Sequence, residues 1–491
     1  MGMASARILA WVGNISTVGE TSWVRIRTLA QTGSFAEGGP PTVAPGRAPD
    51  LMEEFVKQSS IKRLATVALI VALPLSLTAC AKGGNSPSGS TSEEGGGGTL
   101  TLWTHSAGNK NELASIKTIV DDFNASQNKY KVTVQAFPQD SYNQSVVAAA
   151  AAKKLPCILD IDGPNVPNWA WAGYLAPLEG MDDVLSKYLP STVGKYQDKY
   201  YSYGYFDVAL NMTSRKSVLK KYGIRVPTVD EPWTGDEFMA GLKKIKDSGD
   251  FVNPLDLATG STGEWWPYAY SPLLQSFGGD LINRNDYKSA EGVLNGDKAL
   301  AWAAWFRGLA TDKLMPLKSG TDPGKDFLNG KTAILYNGSW GAADGRKKFG
   351  DDIVFLPPPD FGTGPKIGGA SWQWGMSTNC GDNTAGAMEY MKFASTDKYV
   401  AVFATSAVAI PSTDAAAATV KGYETGGEND IFRQLSKKFA VVRPVTPGYP
   451  FIATEFTKTA QDILNGADAK KALDQAVKNI DDNQESNGFF E

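Results

Sequence analysis

Tryptophans and carboxylates set in glycine- and proline-bounded stretches are the residues of this chain with chemistry to offer. Glu264, Trp265, Trp266 and Tyr268 stand together in GEWWPYAY, and Trp340 ends the run FLNGKTAILYNGSW. Trp372 and Trp374 alternate along SWQWGMS, and Arg443 opens RPVTPGYP, which also carries Tyr449. Flat rings beside planar polar groups suit a ligand with apolar C–H faces rimmed by hydroxyls, which is the surface of a sugar. Further polar candidates are Asn109, Lys110 and Glu112 after the first expected strand, Asp160 and Asp162 after the third, and Asp207. Asp162 and Glu264 lead, because each stands in a loop beside aromatics, where a carboxylate can accept from two vicinal hydroxyls. Each candidate has a plainer reading: a large aromatic is more often core, and a lone charge is more often a helix cap or surface ion pair. Trp302 and Trp305, at helical spacing, read as core, while Trp169 and Trp171 fall to neither side.

Composition narrows the classes. The 491 residues carry a net charge of −4 with no long basic run after residue 80, so no nucleic-acid partner is expected. A single histidine, His105, removes most zinc sites and most Ser-His or Cys-His arrangements, and no cofactor or metal is expected. Besides Cys80, the remaining cysteines Cys157 and Cys380 can either pair or stay buried as small apolar residues; their separation in sequence decides nothing.

The elements that position these residues begin late. Residues 1–51 lack sustained periodicity and read as a miscalled or disordered extension, with translation starting near Met52. Lys62–Cys80, KRLATVALIVALPLSLTAC, has the basic flank, short apolar segment and small-residue end of a secretory signal. Its Leu-Thr-Ala-Cys resembles a lipobox, which implies a signal peptide over 52–79 and lipid on Cys80. Residues 80–98, rich in Gly and Ser, read as a flexible tether. Then Thr99–Thr104, Lys131–Phe137 and Ile158–Asp162 read as strands separated by helices, the rhythm of a parallel α/β sheet whose carboxyl edge forms a crevice. Thr234 and Glu237 have capping-box spacing. Further helices are expected at Lys298–Asp312, Thr454–Leu464 and Asp468–Ile480, with a buried strand at Thr332–Tyr336.

The order of FLNGKTAILYNGSW, PWTGDEF, NWAWAGYLAPLEG and RPVTPGYP resembles the carbohydrate-binding extracellular solute-binding proteins of ABC transporters, the family of maltose-binding protein. Cys157 in LPCILDIDG departs from the family pattern, which has Asp after Pro. The resemblance implies an α/β, two-lobed periplasmic-binding-protein type II fold, each lobe a mainly parallel sheet flanked by helices, with crossover strands near 205–210 and 369–374. Lobe 1 would take 99–207 and 372–415, and lobe 2 would take 208–371 and 416–491. It implies a monomeric, non-enzymatic binder of a carbohydrate, an oligosaccharide above all, held in an interlobe cleft and delivered to a membrane permease. The protein would be anchored on the outer face of the cell membrane by Cys80. In relatives the Trp340 ring lies under a sugar, Trp265, Trp266 and Tyr268 occupy stacking positions, and Tyr449 closes the cleft. A lipid-anchored glycoside hydrolase is the rival, with Asp162 paired to Glu264 or Asp207 as its two carboxyls.

Overall fold

The computed structural model describes residues 97–490; the extension, the signal segment, Cys80 and all but the last two tether residues lie outside the described residues. The chain begins with β1 (Thr99–Thr104), β2 (Lys131–Ala136) and β3 (Ile158–Asp162), followed by β4 (Leu175–Ala176), β5 (Val193–Tyr196) and β6 (Lys199–Tyr203). It leaves through β7 (Phe206–Asp207) and builds β8 (Leu210–Arg215), β9 (Asn253–Asp256), β10 (Thr332–Gly338) and β11 (Ile353–Leu356). It returns through β12 (Ile367–Gly369) to β13 (Trp372–Ser377), and adds β14 (Ile410–Pro411) and β15 (Ala440–Val442).

Two sheets carry two lobes. The first runs β2-β1-β3-β13-β6-β5, with β4 on β13, and the second runs β11-β8-β10-β9. β1 is parallel to β2 and β3, and β10 to β9, as the strand-helix rhythm predicts. Both sheets are nonetheless mixed. β13 enters from the crossing at the edge where β3 ends, so it must run antiparallel, pairing Trp372 with Asp162 and Met376 with Ile158. β8, the outgoing strand, is antiparallel to β10 for the same reason. Two short pairs, β7 with β14 and β12 with β15, lie along the crossings.

Alternation and helical spacing fill each core. Leu100 and Leu102 of β1 meet Ile116, Ile119 and Phe123 from the helix Lys110–Ser126, all essentially inaccessible. In the second lobe Phe238, Leu242 and Ile245 point inward from the helix Gly235–Ser248, whose amino end is the expected capping box of Thr234 and Glu237. The helix Tyr449–Leu464 packs on Trp265–Phe277 and on Asp297–Thr311, so the C-terminal block sits with the second core. No helix among the described residues is long and apolar enough to cross a membrane.

Candidate functional site

Sheet polarity brings the candidate residues together. β1 and β3 end, and β13 begins, at one edge of the first sheet; β9 and β10 end, and β8 begins, at one edge of the second. Asp162 and Trp372 are register partners at the first edge. Trp340 lies two residues beyond β10, and Glu264 and Trp265 follow β9 after a loop. Arg443, from the segment after β15, spans the gap: its guanidinium nitrogens lie 3.8 Å from Asp162 and 3.3 Å from Glu264. One side chain therefore joins the strand end that carries Trp372 to the helix start that carries Trp265.

On the second lobe Trp265 and Trp340 meet edge to face, with ring centroids 6.3 Å apart. They line a cavity of about 550 Å³ whose polar wall includes Asp322, Lys325, Asn337 and Asp344. Trp340 is 49% exposed, a large aromatic held at the surface. Gly338 has a steric reason in the Gly-Ser-Trp run, since a Cβ there would fall inside the Trp340 indole. Trp265 is fixed by its Nε1, which donates to the Tyr270 hydroxyl at 3.1 Å. A second cavity of about 420 Å³, bounded by Pro164, Tyr188, Val193 and Pro444, has neither tryptophan nor carboxylate in its wall.

Between the lobes the polar groups are tightly tied. The Tyr449 hydroxyl donates to Glu264, 2.5 and 2.8 Å from its two oxygens. Burial pushes the Glu264 carboxyl up to about 7 against the pull of Arg443, and burial likewise raises Asp162. Arg443 also donates to the Ala370 carbonyl at 3.3 Å and lies over the Tyr268 ring, 5.2 Å from its centroid.

Several expectations are corrected. Trp266 is 2% exposed, packs on Tyr270 and Phe306 and donates its Nε1 to Ser261: it is core. Trp374, 1% exposed, sits among Tyr205 and Phe403, because β13 carries it past the cleft edge into the sheet interior. Asp207 is fully buried and accepts from Ser191, Ser436 and the Val208 N–H, so it pins the crossing and cannot meet a ligand. Asn109 and Lys110 are not overturned: both stay exposed at the start of the helix Lys110–Ser126, where Asn109 also caps it by accepting from the Glu112 N–H. Trp265 to Tyr268 belong to a helix, Trp265–Phe277, and Tyr449 opens another, rather than standing in loops. Pro267 fits because its missing N–H falls in the first turn, where no intrahelical partner exists. Trp169 and Trp302 are core, Trp305 is half-buried against Phe361, and Trp171 is exposed, edge-on to Phe489.

Sequence reasoning missed His105, used only to argue against zinc. It lies one residue beyond β1, its ring stacked on Trp372 with centroids 3.6 Å apart and an 11° interplanar angle. Its place just after a strand end beside other polar candidates was the available signal. Nothing in the site favours the hydrolase rival over binding. Asp162 and Glu264 share one buried guanidinium, and Asp207 is sealed off.

Comparison with known proteins agrees with this architecture. The model of the bacterial extracellular solute-binding protein family matches residues 118–428, more than half of the chain. The diacetylchitobiose binding protein DasA of Streptomyces coelicolor is 24% identical over 374 residues, covering 74% of this chain and 84% of DasA. Among solved structures, the GacH receptor of Streptomyces glaucescens, known unliganded and with acarbose, superposes with a TM-score of 0.64 at 21% identity over 80% of this chain and 98% of its own. The cyclic α-maltosyl-1,6-maltose binding protein of Arthrobacter globiformis gives 0.66 at 21% identity over 79% of this chain and 99% of its own. The two-lobed fold is theirs, and this chain belongs to the bacterial extracellular solute-binding protein family.

Proposed function

We propose that the protein is the sugar-capturing component of an ABC transporter, holding an oligosaccharide in the interlobe cleft and passing it to a membrane permease while lipid on Cys80 keeps it at the membrane. The observation that carries the reading is the Trp265–Trp340 pair on the wall of a 550 Å³ cavity at the carboxyl edge of its sheet. Exposed indoles supply flat apolar platforms, and the acids and amides beside them accept and donate to hydroxyls. The ligands named for DasA, GacH and the Arthrobacter protein are all saccharides or saccharide analogues, which supports the same class here. Trp372 and Asp162 complete the proposed site from the opposite edge, and Glu264 from beside Trp265; Tyr449, as inaccessible as Trp374, serves by holding Glu264, and the buried Arg443 and Tyr268 lie behind the carboxylates.

The test is intrinsic tryptophan fluorescence against maltose, maltotriose, maltotetraose, diacetylchitobiose and acarbose. Reducing ends are followed in parallel during long incubation. Saturable quenching by at least one oligosaccharide with no release of reducing ends is expected. Sustained cleavage would establish a hydrolase instead, and a flat response to the whole panel would count against a sugar ligand of this kind.

A further inference from the structure

His105 lies outside the Trp265–Trp340 cavity and the Arg443 bridge, yet its surroundings are built. The ring is 4% exposed and both nitrogens face carboxylates: Nδ1 is 2.5 Å from Asp160 and Nε2 is 3.2 Å from Glu112. Two carboxylate acceptors on opposite sides need two N–H donors, which only the imidazolium supplies. Each acceptor is itself held. Asp160 accepts from the Thr104 hydroxyl at 2.8 Å and from the His105 backbone N–H at 3.2 Å, and Glu112 accepts from Ser106 at 3.3 Å. The ring is thus fixed in plane by three elements: β1, β3 and the helix Lys110–Ser126.

What lies on that fixed plane is Trp372, parallel and in contact, with Tyr142 edge-on to it at 5.9 Å. Trp372 is half-buried at the edge of the first sheet, opposite Asp162. A cation stacked on an indole face attracts it through the ring quadrupole, so the contact is strongest when the imidazole is charged. We infer that His105 is a positioning residue: clamped as an imidazolium between Asp160 and Glu112, it sets the plane of Trp372 as the first lobe's stacking platform and couples ligand affinity to its own protonation. This rests on the sugar reading of the cleft.

The titratable groups facing the ring are Asp160 and Asp162 on β3, Glu112 on its helix and Tyr142 on the helix Gln139–Ala151. Burial opposes the charge, but Asp160 and Glu112 outweigh it and take the imidazole up to about 9 from 6.5. A raised folded value stabilises the protein fully below the unfolded value near 6.5, and that contribution is lost as pH rises through about 9. The platform is therefore held constant through neutral pH and released in alkali, when one carboxylate loses its donor.

With a single histidine in the chain, its Hε1 resonance is unambiguous. In the ligand-free protein this resonance should titrate well above pH 7.5 and carry an upfield ring-current displacement that Trp372→Leu abolishes. The sugar of the panel that binds most tightly should bind with constant affinity from pH 6 to 8 and at least fivefold more weakly at pH 10. In His105→Gln, affinity at pH 7 should fall about fivefold and the alkaline loss should vanish. Should that variant fold poorly, Glu112→Gln should lower the histidine midpoint and weaken binding in the same direction. A resonance titrating near 6.5 without the displacement, or a His105→Gln protein with wild-type affinity and pH profile, overturns the proposal. If no sugar of the panel binds the wild type, the sugar reading fails by itself, and the ligand-free resonance still decides whether His105 is clamped against Trp372.

Discussion

Exposure separates tryptophans that look alike along the chain. Trp340 and Trp374 both stand in short aromatic runs near strand ends, yet one is half in solvent and the other has almost no accessible surface. The difference sets opposite costs for removing them. Trp340→Ala loses a proposed binding platform and little packing, so sugar affinity should fall at least tenfold, within the roughly 2–4 kcal/mol typical of an aromatic anchor, while the urea midpoint stays close to wild type. Trp374→Ala opens a hole among Tyr205, Phe403 and their neighbours and should cost about 3–5 kcal/mol of stability, with sugar affinity of the folded protein unchanged. Titration calorimetry and urea denaturation on both variants check the pair; Trp340→Ala that unfolds readily but binds normally would make it a packing residue.

Elements fix where such side chains arrive. The helix Trp265–Phe277 contains Pro272 in its interior, where one backbone hydrogen bond is lost, and it is held by neighbours such as Tyr270, Leu273 and Leu274 that are wholly buried. A local reading sees two prolines and expects a loop, because the compensating burial is contributed by other parts of the chain. The returning strand β13 has a different fastening. Cys380, just past its end, is paired with Cys157, just before β3, with their Cα atoms 4.6 Å apart at a sequence separation of 223. Closing so long a loop should stabilise the protein by about 2–5 kcal/mol. Cys380→Ser, or reduction of the wild type, should therefore lower the denaturation midpoint by that amount. Intact-mass measurement of the untreated protein should show two hydrogens fewer than the reduced form; equal masses would remove the bond.

For the molecule as a whole, the crossings tie the two sheets together at a few points. Asp207 accepts hydrogen bonds from Ser191 and Ser436, and Arg443 bridges Asp162 and Glu264. Lobes joined this way can close over a ligand by changing dihedrals at the crossings, a motion that preserves each core. Capture by a free-floating binder would not keep the sugar near a permease, which gives the proposed anchor its purpose. Cys80→Ala expressed in a bacterial host should shift the protein from the membrane fraction to the soluble extracytoplasmic fraction, or leave uncleaved precursor, and should lose labelling by radioactive palmitate. Retained labelling would show that Cys80 is not the lipidated residue.

By itself the sequence determined the local pieces: β1, β3 and β10 by their apolar patterns, the capping box of Thr234 and Glu237, and the family order of motifs that singled out Trp340. These depend on residues close together in the chain, where periodicity, caps and turns act. Only the tertiary structure decided that β13 runs against β3, that Trp266 and Trp374 are core, and that Asp207 pins a crossing. It alone placed Arg443 between Asp162 and Glu264 and stacked His105 on Trp372. The physical reason is that deciding contacts at these sites come from far along the chain, such as Ser436 to Asp207, Trp372 to His105 and Arg443 to Asp162, and a side chain's own neighbours in sequence carry no record of them.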